Sequence, residues 1–280
     1  MMKRKIATGK LKQSLLVLVL LCLGAAMLLP FFWVFATSLR LPKDSFSLPP
    51  SFFPTQWNWE NYSHVFTSVP FFEFIKNSVV VTVSITGIQL VFSSMCAFAF
   101  ARLKFKGGNL LFIYILTGLM IPYQSIIIAQ FLIVTKMGLV DTHLALILPY
   151  LANPFGIFLL KQFMQTIPKS YDEAAIMDGA NWWQIYWHVI LPMSKPALVV
   201  CAFMKFIEQW NNFFAGLIYI NSQEKYTLPM GMMLLRGFRS SGSVSMIMAG
   251  VMISLIVPAL VYIFGQKYLI QGTVLSGLKS

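Results

Sequence analysis

The chain has 280 residues, of which 58% are hydrophobic and 11% charged, and it carries a net charge of +12. Ordinary soluble domains contain roughly 45–50% apolar and about 25% charged residues, so these proportions exclude a soluble enzyme and point to a protein solvated by lipid. The positive charge follows the pattern of a membrane topology signal and not of a nucleic-acid footprint, because the basic residues gather between apolar runs.

Uncharged runs long enough to cross a bilayer, about 20 residues each, occupy 14–36, 77–101, 109–135, 142–160 and 240–266. A sixth run, 196–223, is interrupted only by Lys205 and Glu208. The expected fold is therefore an all-α membrane protein with six transmembrane helices, forming one membrane-embedded unit over 1–280. The first run follows Lys3, Arg4 and Lys5, as a signal peptide would. It continues through Met27 to Val34, too far for a signal h-region, and is expected to be a retained span.

Lys and Arg fix the orientation. With the N-terminus inside, inner segments hold Lys3, Arg4, Lys5, Lys10, Lys12, Arg102, Lys104, Lys106, Lys161, Lys169, Lys195, Lys267 and Lys279. Outer loops hold Arg40, Lys43, Lys136, Lys225, Arg236 and Arg239. Thirteen against six places both termini in the cytoplasm. The longest outer loop, about 37–73, is broken up by Pro42, Pro49, Pro50 and Pro54 and carries Trp57, Trp59 and Tyr62, as expected for an ordered loop at the membrane surface.

Several runs contain helix breakers: Pro122 in the third, Pro149, Pro154 and Gly156 in the fourth, Pro258 in the last. These are either kinks tolerated inside a span or bends that shape a cavity. Cys22, Cys96 and Cys201 all fall within predicted spans as small hydrophobes, with no disulfide framework and no metal-ligand spacing.

Only nine residues are acidic, yet Asp172, Glu173 and Asp178 lie within seven positions of one another, directly before Trp182, Trp183, Tyr186 and Trp187. Ser170 with Glu173 has the form of a capping box after Pro168, so a helix is expected from near Tyr171. Gly179 stands where a left-handed residue would end it. Asn181 with Gln184 opens a second, aromatic helix expected to stop by Pro192. Helix, glycine bend, helix is the reading for this cytoplasmic stretch, about 164–195. Its small residues Ala174, Ala175 and Ala180 and its acidic edge suit docking into a partner's cleft.

The stretch also resembles the cytoplasmic loop of permeases from binding-protein-dependent ABC importers. That loop has the form Glu-Ala-Ala, three residues, Gly, nine residues, Ile, any residue, Leu-Pro. Here the matching residues are Glu173-Ala174-Ala175, Gly179, then Val189 in the Ile slot, Leu191 and Pro192. The longer match, through Asp178-Gly179-Ala180 and across the six runs, is similar to the sugar-importer branch, close to the second permease subunit of maltose-type transporters. The resemblance implies a type I importer permease fold. It implies that Glu173, Ala174, Ala175, Asp178 and Gly179 form a coupling helix that docks on an ATPase. It further implies two ATPase subunits carrying ATP and Mg, a second homologous permease, and an extracytoplasmic sugar-binding protein. The setting would be the cytoplasmic membrane of a bacterium or archaeon. In the C-terminal tail, about 268–280, Gly272 and Lys279 fit the family pattern, whereas Ser276 and Leu278 depart from it.

Residues 205–216, "KFIEQWNNFFAG", are where charge enters a span. A carboxylate at mid-bilayer costs about 2.5–3.5 kcal/mol on insertion scales, so Glu208 is expected to face a cavity or a partner. It either pairs structurally with Lys205 or lines a translocation pathway with Trp210, Asn211 and Asn212, whose amides and ring suit sugar hydroxyls and ring faces. The chain has no Gly-rich phosphate loop ending in Gly-Lys-Ser/Thr, so no ATP is expected on it. A stand-alone secondary transporter or channel is the alternative, but neither inverted repeats nor a relay of intramembrane titratable groups is apparent. His64, His143 and His188 are too scattered for a catalytic constellation.

Overall fold

A computed structural model describes residues 2–44, 53–235 and 243–277, and every regular element among them is a helix. The helices are α1 Met2–Ser38, α2 Glu60–Ser68, α3 Phe71–Arg102, α4 Gly108–Thr117, α5 Tyr123–Lys136, α6 His143–Ile147 and α7 Pro154–Thr166. They continue with α8 Ser170–Met177, α9 Trp182–Ile185, α10 Leu191–Met193, α11 Lys195–Trp210, α12 Phe213–Tyr219, α13 Leu228–Leu234 and α14 Val244–Gly277. Among the described residues, three helical stretches are long and apolar enough to cross a membrane: Gln13–Ser38, Phe71–Arg102 and Val244–Lys267. Two bent helix pairs bring the number to five if each pair is one span.

The structure interrupts two of the expected spans, 109–135 at the anticipated Pro122 and 196–223 where no break was expected. In the first, α4 closes on Gly118, and Pro122 stands in extended backbone (φ −60, ψ 133) as the residue before α5. Pro122 has no N–H to continue the ladder, so the break is complete. In the second, α11 ends at Trp210, and the Asn212 side chain accepts from the Ala215 N–H at 3.2 Å to start α12 afresh. Asparagine competes for backbone donors in this way and favours caps over helix interiors. The fourth run is two helices bent by 46°, with Pro154 opening the second. Pro258, by contrast, lies inside a continuous α14 and breaks nothing.

The chain forms two compact units, 1–69 with 232–253, and 70–231 with 254–280. In the first, the loop after α1 is pinned by Asn61. Its amide donates to the Ser38 and Arg40 carbonyls, both at 2.8 Å, while the Ser38 and Tyr62 hydroxyls meet at 2.8 Å. The loop also contains α2, a helix that its prolines did not foretell.

The second unit is built on α3. Two clusters of buried apolar side chains flank it, one including Val81, Ile85, Tyr150 and Tyr219, the other Ala97, Phe98, Leu160, Ile185 and Ile190. Along the same helix runs a buried polar seam of Asn77, Ser78, Thr82, Thr86, Gln89, Ser93 and Ser94. Asn77 donates to the Glu224 and Tyr226 carbonyls at 2.8 and 3.0 Å, and Ser78 accepts from the Leu228 N–H. Gln89 donates to the Tyr150 carbonyl at 2.9 Å. A polar group taken out of water without a partner is costly, so these bonds fix what α3 packs against.

Candidate functional site: the acidic loop and the break after α11

The segment 168–193 contains the clustered carboxylates. The helix begins one residue earlier than expected and without the Ser170–Glu173 box: Lys169 is the residue before α8, and no side chain caps it. The Asp172 and Glu173 amides donate to the Lys169 carbonyl, at 2.9 and 3.0 Å. Ser170 is thereby the first residue inside the helix and not its cap. Asp172 and Glu173 still lie in the first turn, where negative charge offsets the helix dipole.

Gly179 ends the helix as expected, with φ +82. Its N–H donates to the Ile176 carbonyl and that of Ala180 to the Ala175 carbonyl, both at 2.9 Å, the paired bonds of a Schellman motif. A Cβ on Gly179 would touch nothing within 4 Å, so backbone conformation alone demands glycine there. The Asn181–Gln184 capping box is formed, with bonds of 2.9 and 2.8 Å. The helical run does not stop by Pro192. A π-helical turn over Tyr186–Ile190 leads directly into α10, which contains Pro192. The wider turn opens the ladder where the proline ring would otherwise meet the carbonyl four residues back.

The three carboxylates divide. Glu173 and Asp178 are exposed, as are Ala174 and Gly179, while Ala175 is half-buried. Beside them Ile176 and Met177 are bared, Met177 to 87%. Asp172 turns inward and is buried: its Oδ2 lies 2.9 Å from Arg102 Nε, with the side chains 8% and 2% exposed. Arg102 also donates from Nη2 to the Ile167 carbonyl at 2.9 Å. Burial raises the Asp172 carboxyl above the ordinary range, the Arg102 charge opposes this, neighbouring Glu173 adds to it, and Lys169 opposes it. Removing one partner from a buried ion pair typically costs about 3–5 kcal/mol, whereas replacing both with apolar groups is often neutral.

Nothing local to Tyr186 marks it as core among its aromatic neighbours. It is buried, its hydroxyl meets Ser94 Oγ at 2.7 Å, and its ring packs against Phe98 at 5.2 Å. Trp182, Trp183 and Trp187 remain exposed. A cleft of about 860 Å³ separates this loop from the 103–105 turn, lined by Lys104, Phe105, Lys169, Glu173, Ile176 and Trp182 among others.

The second set of residues surrounds the break after α11. Lys205 Nζ donates to Glu208 Oε1 at 2.8 Å, with Lys205 9% and Glu208 60% exposed. The Lys205 ammonium also lies 5.6 Å from the Tyr150 ring centre. Gln209 donates to the same Glu208 oxygen at 3.1 Å, and Asn212 donates to Gln209 at 3.0 Å. Glu208 and Asn211, three apart, are exposed together, and Asn212 is half-buried. Trp210 departs from this group: it is 3% exposed and stacks on Phe206 at 5.8 Å. The four residues expected along a pathway are thus an exposed carboxylate and amide, a half-buried amide and a buried ring. Among the described residues no group of His, Cys, Asp or Glu side chains has the arrangement of a metal site.

Comparison with known proteins covers both sets. Residues 89–273 match the family described as the binding-protein-dependent transport system inner membrane component. The chain is 31% identical over 247 residues to the arabinooligosaccharides transport system permease protein AraQ of Halalkalibacterium halodurans, covering 88% of this chain and 87% of that one. It is also 31% identical to the trehalose/maltose transport system permease protein MalG of Thermococcus litoralis, over 96% of this chain and 98% of that one. Among solved structures, one chain of a bacterial ABC transporter that imports the acidic polysaccharide alginate superimposes with a TM-score of 0.79. It is 25% identical and is matched over 91% of this chain and 96% of its own length. A helical membrane chain with this loop, this family match and this superposition belongs to the inner-membrane permease components of binding-protein-dependent ABC importers.

Proposed function

We propose that the chain moves a carbohydrate across the cytoplasmic membrane of a bacterium or archaeon, as one of two homologous permease subunits driven by two ATPase subunits that hold ATP and Mg. An extracytoplasmic sugar-binding protein delivers the cargo. The names of AraQ and MalG, and the alginate importer's title, all refer to saccharides, which supports a sugar over other solutes. Six spans follow if α4 with α5, α6 with α7, and α11 with α12 each cross once, alongside α1, α3 and α14. Both termini and residues 161–197 then face the cytoplasm.

The observation that carries this reading is the exposed α8 helix, ended by a positive-φ glycine and presenting Glu173, Ala174, Ile176, Met177 and Asp178. A short, rigid helix with apolar and acidic side chains bared together matches a partner's cleft. Glu173, Ala174, Ala175, Asp178 and Gly179 form the ATPase-coupling element, and Glu208, Asn211 and Asn212 face the sugar's route, with Trp210 supporting them from behind.

The test is to purify complexes with Glu173→Ala or Gly179→Pro and measure retained ATPase subunit and sugar-stimulated ATP hydrolysis. Proline cannot take φ +82, so the second change misdirects the docking helix. Losing one exposed contact should weaken recruitment by roughly tenfold in Glu173→Ala, the lower end of the scale for a hydrogen bond to a charged group. Gly179→Pro should abolish stimulation. Wild-type values in both variants would remove the docking role, and a cognate binding protein indifferent to a carbohydrate panel would remove the sugar.

A further inference from the structure

Ser94, Phe98 and Arg102 are spaced four apart and form one stripe on the inner end of α3. Each contacts the docking loop. Arg102 meets Asp172 in the first turn of α8, before the Gly179 bend. Phe98 meets Trp182 at 6.5 Å and Tyr186 at 5.2 Å, and Ser94 bonds the Tyr186 hydroxyl, all beyond the bend. The loop's two helices are therefore held by a single helix from both sides of the glycine.

Arg102 is the rung with most at stake. Its guanidinium spans two neighbours, the Ile167 carbonyl at the end of α7 and the Asp172 carboxylate, so one side chain joins the ends of α3 and α7 to the start of α8. The planar guanidinium reaches them from two different nitrogens held in one rigid fork, a geometry that a flexible ammonium does not reproduce. A buried pair is poor evidence of stabilisation, since its desolvation offsets its attraction. What it does provide is a fixed geometry. Further along, α3 is bonded through Gln89 to Tyr150, and through Asn77 and Ser78 to residues 224–228. The helix is a strut joining the docking loop to the opposite end of the unit.

We propose that Arg102 and Asp172 are positioning residues that transfer movement of the docking loop to α3, and so couple ATP use to transport without contacting ATP, ATPase or sugar. This rests on the docking assignment made above for α8. The two ideas separate because docking is read by retained ATPase subunit, whereas transfer is read by sugar moved per ATP hydrolysed.

The experiment uses the full complex in vesicles, with Asp172→Asn, which keeps the shape but removes the charge, and Arg102→Lys, which keeps the charge but not the fork. The expected result is ATPase retention and membrane insertion at wild-type levels. Sugar transported per ATP should fall about fivefold or more, the lower end of usual coupling effects. The effect should be larger in Asp172→Asn than in Arg102→Lys. A wild-type ratio in both variants overturns the proposal while leaving docking intact. Lost ATPase retention overturns it by making the pair part of the docking contact itself. Failure of both variants to insert overturns it by making the pair a folding element.

Discussion

The docking loop and the turn carrying Asp141 are built on opposite principles. Asp141 has φ +62, the sole non-glycine residue with positive φ among those described. Its carboxylate accepts from the Asn221 and Ser222 amides, the Ser222 hydroxyl and Lys225 Nζ, at 2.6–2.9 Å, and Lys225 also donates to its carbonyl. Every group around it is satisfied, and the strained backbone is over-determined by its bonds. In the loop the polar pair is inward, one Asp172 oxygen has no hydrogen-bond partner, and apolar side chains face outward. The Asp141 turn is a clasp complete in itself. The loop leaves an oxygen unpartnered and its apolar side chains bare.

The sharpest way to break this contrast is to ask which side of the membrane each region faces. A membrane-impermeant thiol reagent added from outside should label a cysteine placed at Gln223 and leave one at Lys169 untouched, an all-or-none difference. The reverse pattern would invert the topology. Gln223 is the better outer site because neighbouring Ser222 belongs to the clasp.

Next in size is the clasp. Asp141→Ala removes the acceptor for three neighbours and leaves a Cβ in the left-handed region, so the Asn221 and Ser222 amides should exchange hydrogen about tenfold faster or more. The Lys225 ammonium first, then the Ser222 hydroxyl and the Ser222 and Asn221 amides, hold the Asp141 carboxyl far below the ordinary carboxylate range. A depressed folded value means that the clasp's contribution is complete above the unfolded value, near about 3.9, and fades only as pH falls through the folded one. Protection in the wild type, corrected for intrinsic exchange, should be flat from pH 8 to pH 5. A loss within that interval would show that another group controls the turn.

The smallest effect is expected between the two regions. Glu208→Gln keeps an acceptor for buried Lys205, so the complex should assemble while transport falls roughly two- to tenfold, the scale of one hydrogen bond. If Glu208 serves only as Lys205's partner, Lys205→Met with Glu208→Met should restore transport in full. That outcome would return the pair to a structural role.

What was legible in the sequence was whatever depends on near neighbours. Gly179 and the Asn181–Gln184 box were readable because a left-handed stop and a reciprocal cap are settled within four or five residues. The Ser170–Glu173 box had the same local form and failed, since the helix gains its first turn from the Lys169 carbonyl and places Ser170 inside. Pro122 signalled a break but not its completeness, and the Asn211–Asn212 break passed unnoticed inside an apolar run. Arg102 and Asp172 were both visible as charges between apolar runs. Their union was not, because 70 positions separate them and only the packing of α3 on α7 brings them within reach. Trp210 illustrates the same limit: an aromatic on a helix announces burial or stacking, and the choice belongs to its neighbours.

The polar seam on α3 also bears on how the chain is made. A helix released into lipid can satisfy hydroxyls such as Ser94 on its own carbonyls, but the amides of Asn77 and Gln89 keep their desolvation cost until partners arrive. The partners of Gln89, Ser94 and Asn77 lie 61, 92 and up to 149 residues downstream. At roughly 5–20 residues per second, the last of these is synthesised about 7–30 s after the helix itself. Until then its amides lack the acceptors that the finished fold provides. The second half of the chain thus supplies what an early helix needs to be at ease in the membrane.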